Sequence, residues 1–193
     1  ALADDVLYID KLPLNMNWAP MLHKMFPRAV FILAQRHPLD VAISNLFQNF
    51  TPNNAMMNMT SLGRINHFYD LSFALWADFE AWRQPVVERV SYEEIVTDLE
   101  GTVAKLMARL GLEWEASQSR FFETALNRGR INTPSYLQVS QKLYTTSSER
   151  WRHYDFAFQG PDTAALRDRA SRQRPALTPL RRCRPPSPLT HTC

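Results

Sequence analysis

Arg36 and Ser44, eight positions apart, are the residues of this sequence best suited to bind an anion together. Arg36 follows Gln35 and the apolar run 29–34, and Ser44 lies in the periodic segment after it. A guanidinium offers a planar fork of N–H donors that fits a phosphate, and a serine hydroxyl adds another donor. Asp40 lies between them and leaves a second interpretation open, an ordinary ion pair with Arg36 at a strand end. These residues alone fit a phosphate site and an ion pair equally well.

The segments around Arg36 are predicted to form a strand, a short loop and a helix. Residues 29–34 are continuously apolar, as central strands of parallel sheets are. Residues 39–49 have apolar side chains at helical spacing, and Pro38 lies in the first turn, where its missing N–H costs nothing. Ligands of open α/β sheets bind beyond the carboxyl ends of strands, near helix N-termini that attract anions. Arg36 is therefore expected at such an edge.

The rest of the chain alternates between strand-like and helix-like segments, which predicts an α/β fold with helices flanking a parallel sheet. Further strands are predicted at 6–9 and 86–90. Further helices are predicted at 17–26, 62–82, 99–110 and 117–127. The 99–110 helix has Asp98 as its N-cap and Gly111 just past its end. Aromatic residues of the 62–82 helix form a stripe expected to face the core: Phe68, Phe73, Trp76, Phe79 and Trp82.

Residues 159–193 are predicted to form an Arg- and Pro-rich tail without packed structure after a domain at 1–158. The last 22 residues contain five Pro and no aromatic side chain. Residues 161–193 hold seven Arg and two Asp, a net charge of +5, whereas residues 1–160 have a net charge of −2. The overall basicity therefore belongs to the tail, and it does not indicate a domain that binds nucleic acid.

Cysteine and histidine placement argues against several other functions. Both cysteines, Cys183 and Cys193, lie in the tail, so the predicted domain has no disulfide and no thiol nucleophile, which fits a cytoplasmic setting. No His or Cys cluster has metal-ligand spacing, and no metal is expected. His23, His37, His67 and His153 are interpreted as surface or packing residues rather than catalytic bases. No apolar run is long enough to span a membrane, and there is no signal-peptide pattern.

Four segments, in order, resemble motifs of sulfotransferases that use 3′-phosphoadenosine 5′-phosphosulfate (PAPS). RHPLDVAIS (36–44) resembles the 3′-phosphate-binding motif Arg-x-Pro-x-Asp-x-x-x-Ser of that family, and DKLPLN (10–15) resembles Asp-Lys-x-Pro-x-Asn. Residues 90–114 and 135–154 resemble two later segments. The similarity is greatest to bacterial sulfotransferases often fused to tetratricopeptide repeats, and more distant to tyrosylprotein sulfotransferases. It implies a three-layer, P-loop-like α/β fold.

The resemblance implies transfer of a sulfuryl group from PAPS to a hydroxyl acceptor (carbohydrate, tyrosine or small alcohol), with release of PAP. Lys11 would contact the bridging oxygen of the group being transferred, where negative charge develops as the S–O bond breaks. Five residues would bind the nucleotide: Arg36, Ser44, Tyr92, Ser135 and Arg150. Arg36, Ser44 and Arg150 would contact the 3′-phosphate, Tyr92 the adenosine, and Ser135 the cofactor's phosphates.

The sequence departs from the family at its first motif. Residues 1–193 contain no Pro-x-Ser-Gly-Thr-Thr loop, the element that grips the phosphosulfate, and Lys142 stands where a proline is usual. We therefore expect the C-terminal part of a sulfotransferase domain, inactive by itself. A non-catalytic nucleotide- or partner-binding remnant is the alternative. A P-loop kinase is disfavoured by the Arg…Ser spacing and by the missing metal-binding carboxylate after a strand. Nucleic-acid binding would have to depend on the Arg-rich tail.

Overall fold

The computed structural model of the chain describes residues 6–127, 141, 143–144 and 146–172. Its strands are β1 (Phe31–Gln35) and β2 (Val87–Ser91). Its α-helices are α1 (Ala19–Met25), α2 (Pro38–Leu46), α3 (Leu62–Arg83), α4 (Tyr92–Thr97), α5 (Leu99–Arg109), α6 (Phe121–Asn127) and α7 (Ala164–Arg172). Short 3-10 helices span Pro13–Trp18, Met56–Met59, Ala116–Arg120, Arg150–Phe158 and Pro161–Thr163. None of the helices in these residues is both long and apolar enough to cross a membrane.

The two strands form a parallel sheet, in register from Phe31 opposite Val87 to Gln35 opposite Ser91. Parallel neighbours need a crossover connection, and α2 and α3 provide it here. On one face Leu33 is buried against α1 and α3. On the other face Glu88 is buried and accepts a hydrogen bond from Arg109 of α5 at 2.8 Å. Helices therefore contact both faces of the sheet, and on the second face they leave Ile32 of β1 47% exposed. The arrangement confirms the predicted α/β class.

The predicted strand at 6–9 is wrong: these residues form no strand, and all four side chains are exposed. A strand is stable only where a neighbouring strand satisfies its N–H and C=O groups. In the described part of the chain β1 pairs with β2, and no strand pairs with residues 6–9. An apolar, β-prone sequence is thus not sufficient for a strand at this position.

A second core joins α2 and α3 to the C-terminal part of the described chain. Its buried members are Leu39, Ala42, Ile43, Ile65, Phe158 and Leu166. Asn66 Oδ1 accepts a hydrogen bond from the N–H of Leu166 at 2.9 Å, and Arg169 pairs with Asp70 at 2.7 Å. The prediction of no packed structure after 158 is therefore wrong for residues 159–172. It failed because only two side chains in this polar segment, Thr163 and Leu166, are buried, and neither forms an apolar pattern in the sequence. Residues 173–193 lie outside the described residues.

The aromatic stripe on α3 faces the core over only part of its length. Trp76 and Phe79 are buried, whereas Trp82 is 71% exposed, with the guanidinium of Arg83 3.8 Å from its ring. At 3.6 residues per turn, each step of three residues falls about 60° short of a full turn. Trp82 has thereby rotated away from the face that Trp76 presents to the sheet.

The predicted capping residues of the 99–110 helix are confirmed, and the helix itself ends at Arg109. Asp98 accepts a hydrogen bond from the N–H of Gly101 at 2.8 Å and so caps the first turn of α5. Gly111 has φ of 72°, a left-handed conformation that glycine adopts without steric cost.

Candidate phosphate-binding site

Arg36 lies immediately after β1, at the carboxyl end of the strand. Its guanidinium lies over the ring of Tyr92, 4.7 Å from the centroid, and one Nη donates to the carbonyl of Ser147. Its Nε is buried and has no hydrogen-bond partner in the structure. Within the described residues no carboxylate forms an ion pair with Arg36. The side chain therefore retains unused capacity to bind an anion.

Asp40 is the residue that the ion-pair interpretation assigned to Arg36. Its carboxylate is instead buried, with 1% exposure, and accepts from the backbone N–H groups of Glu149 at 2.8 Å and Trp151 at 2.9 Å. The ion-pair alternative is therefore wrong. Asp40 binds a distant segment of backbone. The guanidinium of Arg36 therefore receives no counter-ion from α2.

Tyr92 meets Arg36 because of the strand register. Gln35 and Ser91 are paired at the ends of the two strands, so the residues that follow them emerge side by side at one edge of the sheet. Partial burial raises the pKa of Tyr92 above its usual value, and the nearby positive charge of Arg36 partly opposes that rise. The phenol is therefore neutral near pH 7, with a flat apolar ring beside a cation.

Ser44 lies on one face of α2. Asp40, Ser44 and Phe47 are spaced by four and three residues, so they share that face. Asp40 binds the backbone on both sides of Arg150, whose guanidinium lies 5.4 Å from the centroid of the Phe47 ring. Ser44, between these two contacts, thus faces the segment that carries Arg150.

His37 helps to close the site from the helix side. The backbone N–H of His37 donates to the carboxylate of Glu93 at 2.9 Å. The imidazole ring stacks on Trp151, with centroids 5.1 Å apart and planes 3° from parallel. Burial lowers the pKa of the imidazole, and the carboxylates of Asp40 and Glu93 partly oppose this effect. His37 therefore has the packing role that the sequence indicated.

Lys11 makes no described contact with these residues. It is exposed, in a loop where Asp10 accepts from the side chain of Asn15 at 2.6 Å and the N–H of Asn15 donates to the carbonyl of Leu12 at 3.0 Å. No described contact joins Lys11 to Arg36. Ser135, the remaining predicted site residue, lies outside the described residues.

Comparisons with known proteins decide the family. Residues 3–116, more than half of the chain, match the model of the family described as "Sulfotransferase family". The chain belongs to the sulfotransferase family. An uncharacterized protein of Aquifex aeolicus (strain VF5) is 28% identical to it over 148 residues, which are 76% of this chain and 19% of that protein. The chain thus spans about a fifth of the length of this relative, and no solved structure matches it.

Two groups of this candidate site were missed by sequence reasoning. Glu93, which binds the N–H of His37, also accepts from the hydroxyl of Ser91 at 2.7 Å. The pattern Ser91-x-x-Glu94 marks a helix start and could have drawn attention to this turn. The carbonyl of Ser147 contacts Arg36 through the backbone alone, so no side-chain type signals it. No group of His, Cys, Asp and Glu in the described residues could hold a metal ion.

Proposed function

We propose that this sulfotransferase-family chain binds PAPS and PAP through Arg36, Ser44, Tyr92, Ser135 and Arg150. The observation that carries the proposal is the guanidinium of Arg36, which is partly buried, lacks a carboxylate partner among the described residues, and has an unpaired Nε. A charge withdrawn from water without a counter-ion is costly, and a bound phosphate would offset that cost. PAPS therefore fits the residues present.

Each residue contributes a distinct interaction in this proposal. Arg36, Ser44 and Arg150 would bind the 3′-phosphate. Arg36 contacts the carbonyl of Ser147, three residues before Arg150. Ser44 shares a face of α2 with Asp40, which binds the backbone on both sides of Arg150. Tyr92 would contact the adenosine, because its neutral ring lies beside Arg36 at the end of β2. Ser135 would bind the cofactor's phosphates, as the resemblance implies.

In the full reaction, PAPS supplies an activated sulfuryl group that passes to a hydroxyl acceptor, and PAP is released. Lys11 would stabilise the charge that develops on the leaving phosphate oxygen, an interaction stronger in the transition state than in the ground state. Residues 1–193 contain no Gly-rich phosphosulfate loop, so we expect them to bind PAP but not to catalyse transfer alone. The proposal also includes two further points. The chain is of the sulfotransferase type often fused to tetratricopeptide repeats, and it is located in the cytoplasm.

The experiment compares PAP with AMP, which lacks the 3′-phosphate, by calorimetry on residues 1–193. PAP should bind at least tenfold more tightly, and Arg36→Ala should lower PAP affinity by about 1.5–3 kcal/mol, the value of a hydrogen bond to a charged group. AMP affinity should change much less. Arg120→Ala is the matched control, because it removes the same charge from an exposed pair with Glu123. Equal affinity for PAP and AMP would refute the assignment.

A second candidate is nucleotide binding without catalysis. The exposed position of Lys11, without a described contact to the nucleotide-binding residues, favours it. Incubation with labelled PAPS and a panel of sugars and tyrosine peptides distinguishes a sulfotransferase from a protein that only binds the nucleotide. Transfer by a protein that combines residues 1–193 with a phosphosulfate loop supports the enzyme. Tight PAP binding without transfer by that protein supports the binding function.

A further inference from the structure

We propose that Asp40 is a positioning residue that fastens residues 147–151, here called the strap, onto the first turn of α2. Through the strap it would hold Arg36 and Arg150 where they bind the 3′-phosphate. The inference deepens the proposed function and rests on it, because it concerns the same phosphate site.

The carboxylate of Asp40 depends on the strap for its hydrogen bonds. It is 1% exposed and takes one backbone N–H on each of its oxygens, from Glu149 and Trp151. Within the described residues it pairs with no cation. A buried carboxylate is tolerated only when it is hydrogen-bonded, so displacing the strap would leave a costly unsatisfied charge. The helix dipole at the first turn of α2 favours the negative charge of Asp40, but it does not replace these two hydrogen bonds.

The strap's backbone has a conformation that needs such support. Glu149 has φ of 58° and ψ of 16°, in the left-handed region that is unfavourable for a residue with a Cβ atom. Conformations of this kind persist where surrounding contacts enforce them. The bond from the N–H of Glu149 to Asp40 is such a contact, and the stack of Trp151 on His37 is a second.

Two connections lead from the strap to the phosphate site. The carbonyl of Ser147 accepts from Arg36, which sets the direction of that guanidinium. Arg150 lies between the two N–H groups that bind Asp40, and its side chain reaches the ring of Phe47 on the Ser44 face of α2. A single carboxylate thus fixes the backbone that positions both arginines, without touching either of them.

Asp40→Asn tests this role with almost no change in shape. The amide offers one acceptor oxygen, and its NH₂ group would face the second backbone N–H, so one bond is lost and two donors meet. PAP affinity should fall about tenfold or more, whereas AMP affinity should change less than twofold. In the Arg36→Ala background the same substitution should have a clearly smaller effect on PAP, because the effect passes partly through Arg36.

Asp98→Asn is the matched control, since Asp98 also accepts a backbone N–H but caps α5, and asparagine caps equally well. It should leave both affinities unchanged. If wild type prefers PAP and Arg36→Ala removes the preference, while Asp40→Asn retains it, the positioning role is wrong and the proposed function stands. Equal loss of PAP and AMP affinity in Asp40→Asn would show a merely structural role. If wild type binds both equally, the proposed function fails first.

Hydrogen exchange on the wild-type chain provides a second measurement that does not depend on the variant folding. The amides of Glu149 and Trp151 should be protected, and PAP should slow their exchange more than AMP does. Exchange of both amides at the rate of an unfolded peptide, with or without PAP, would overturn the proposal.

Discussion

Leu166→Ala tests the finding that the chain remains packed beyond residue 158. Leu166 has no exposed surface and lies in the core formed with α2 and α3. The substitution removes three carbon groups worth about 0.8 kcal/mol each on burial, and the cavity left behind adds to the loss. We expect the free energy of unfolding to fall by about 3–5 kcal/mol. For a domain of this size that lowers Tm by roughly 6–20 °C.

The measurement is urea unfolding followed by tryptophan fluorescence, with Tm from calorimetry as a second reading. Leu71→Ala is the control, because Leu71 is 56% exposed on α3 and its truncation should change stability by less than about 0.5 kcal/mol. Deleting residues 161–193 should destabilise the chain at least as much as Leu166→Ala, since it also removes the pair between Arg169 and Asp70. A Leu166→Ala loss below about 1 kcal/mol would refute the packing of α7.

Two further predictions concern catalysis and pH. In a protein that combines residues 1–193 with a phosphosulfate loop, Lys11→Ala should lower kcat by roughly 10²–10³ and leave PAP affinity unchanged; an unaltered kcat would exclude the role of the lysine. Burial lowers the pKa of His37, so its stabilising contribution is complete above the unfolded value of 6.5 and is lost as the pH falls below it. His37→Phe, which keeps a ring but cannot titrate, should lose less stability than wild type between pH 7.5 and 5.5. The exposed His153→Gln should lose as much as wild type. Identical pH dependence in His37→Phe and wild type would contradict the assignment.

The sequence predicted the elements whose signals are local. The apolar run before Arg36 gave β1, the spacing after Pro38 gave α2, and Asp98 with Gly111 marked the ends of α5. Each of these depends on side chains close to one another in the chain. The α/β class follows from them, because parallel strands joined through helices place helices against the sheet.

The features that were missed depend on partners far away in the sequence. A strand at 6–9 requires a neighbour that the described residues do not provide. Leu166 is buried because it packs against residues of α2 and α3. The sequence around Leu166 does not indicate this burial, since both helices are far away in the chain. In the site, the Arg36 and Ser44 spacing was readable, but the carbonyl of Ser147 and the N–H groups bound by Asp40 are backbone atoms. Every residue has such atoms, so composition gives no sign of which ones are used.

The bonds of Asp40 also set an order of events during synthesis. Its two donors belong to residues 109 and 111 positions later in the chain. At a translation rate of roughly 5–20 residues per second, α2 must wait on the order of ten seconds before those N–H groups exist. Until then the nascent helix carries a carboxylate that burial would leave unsatisfied, so Asp40 should keep the surface around it hydrated and delay collapse there. The arginine site is then assembled near the end of folding, after the sheet and α3 have formed.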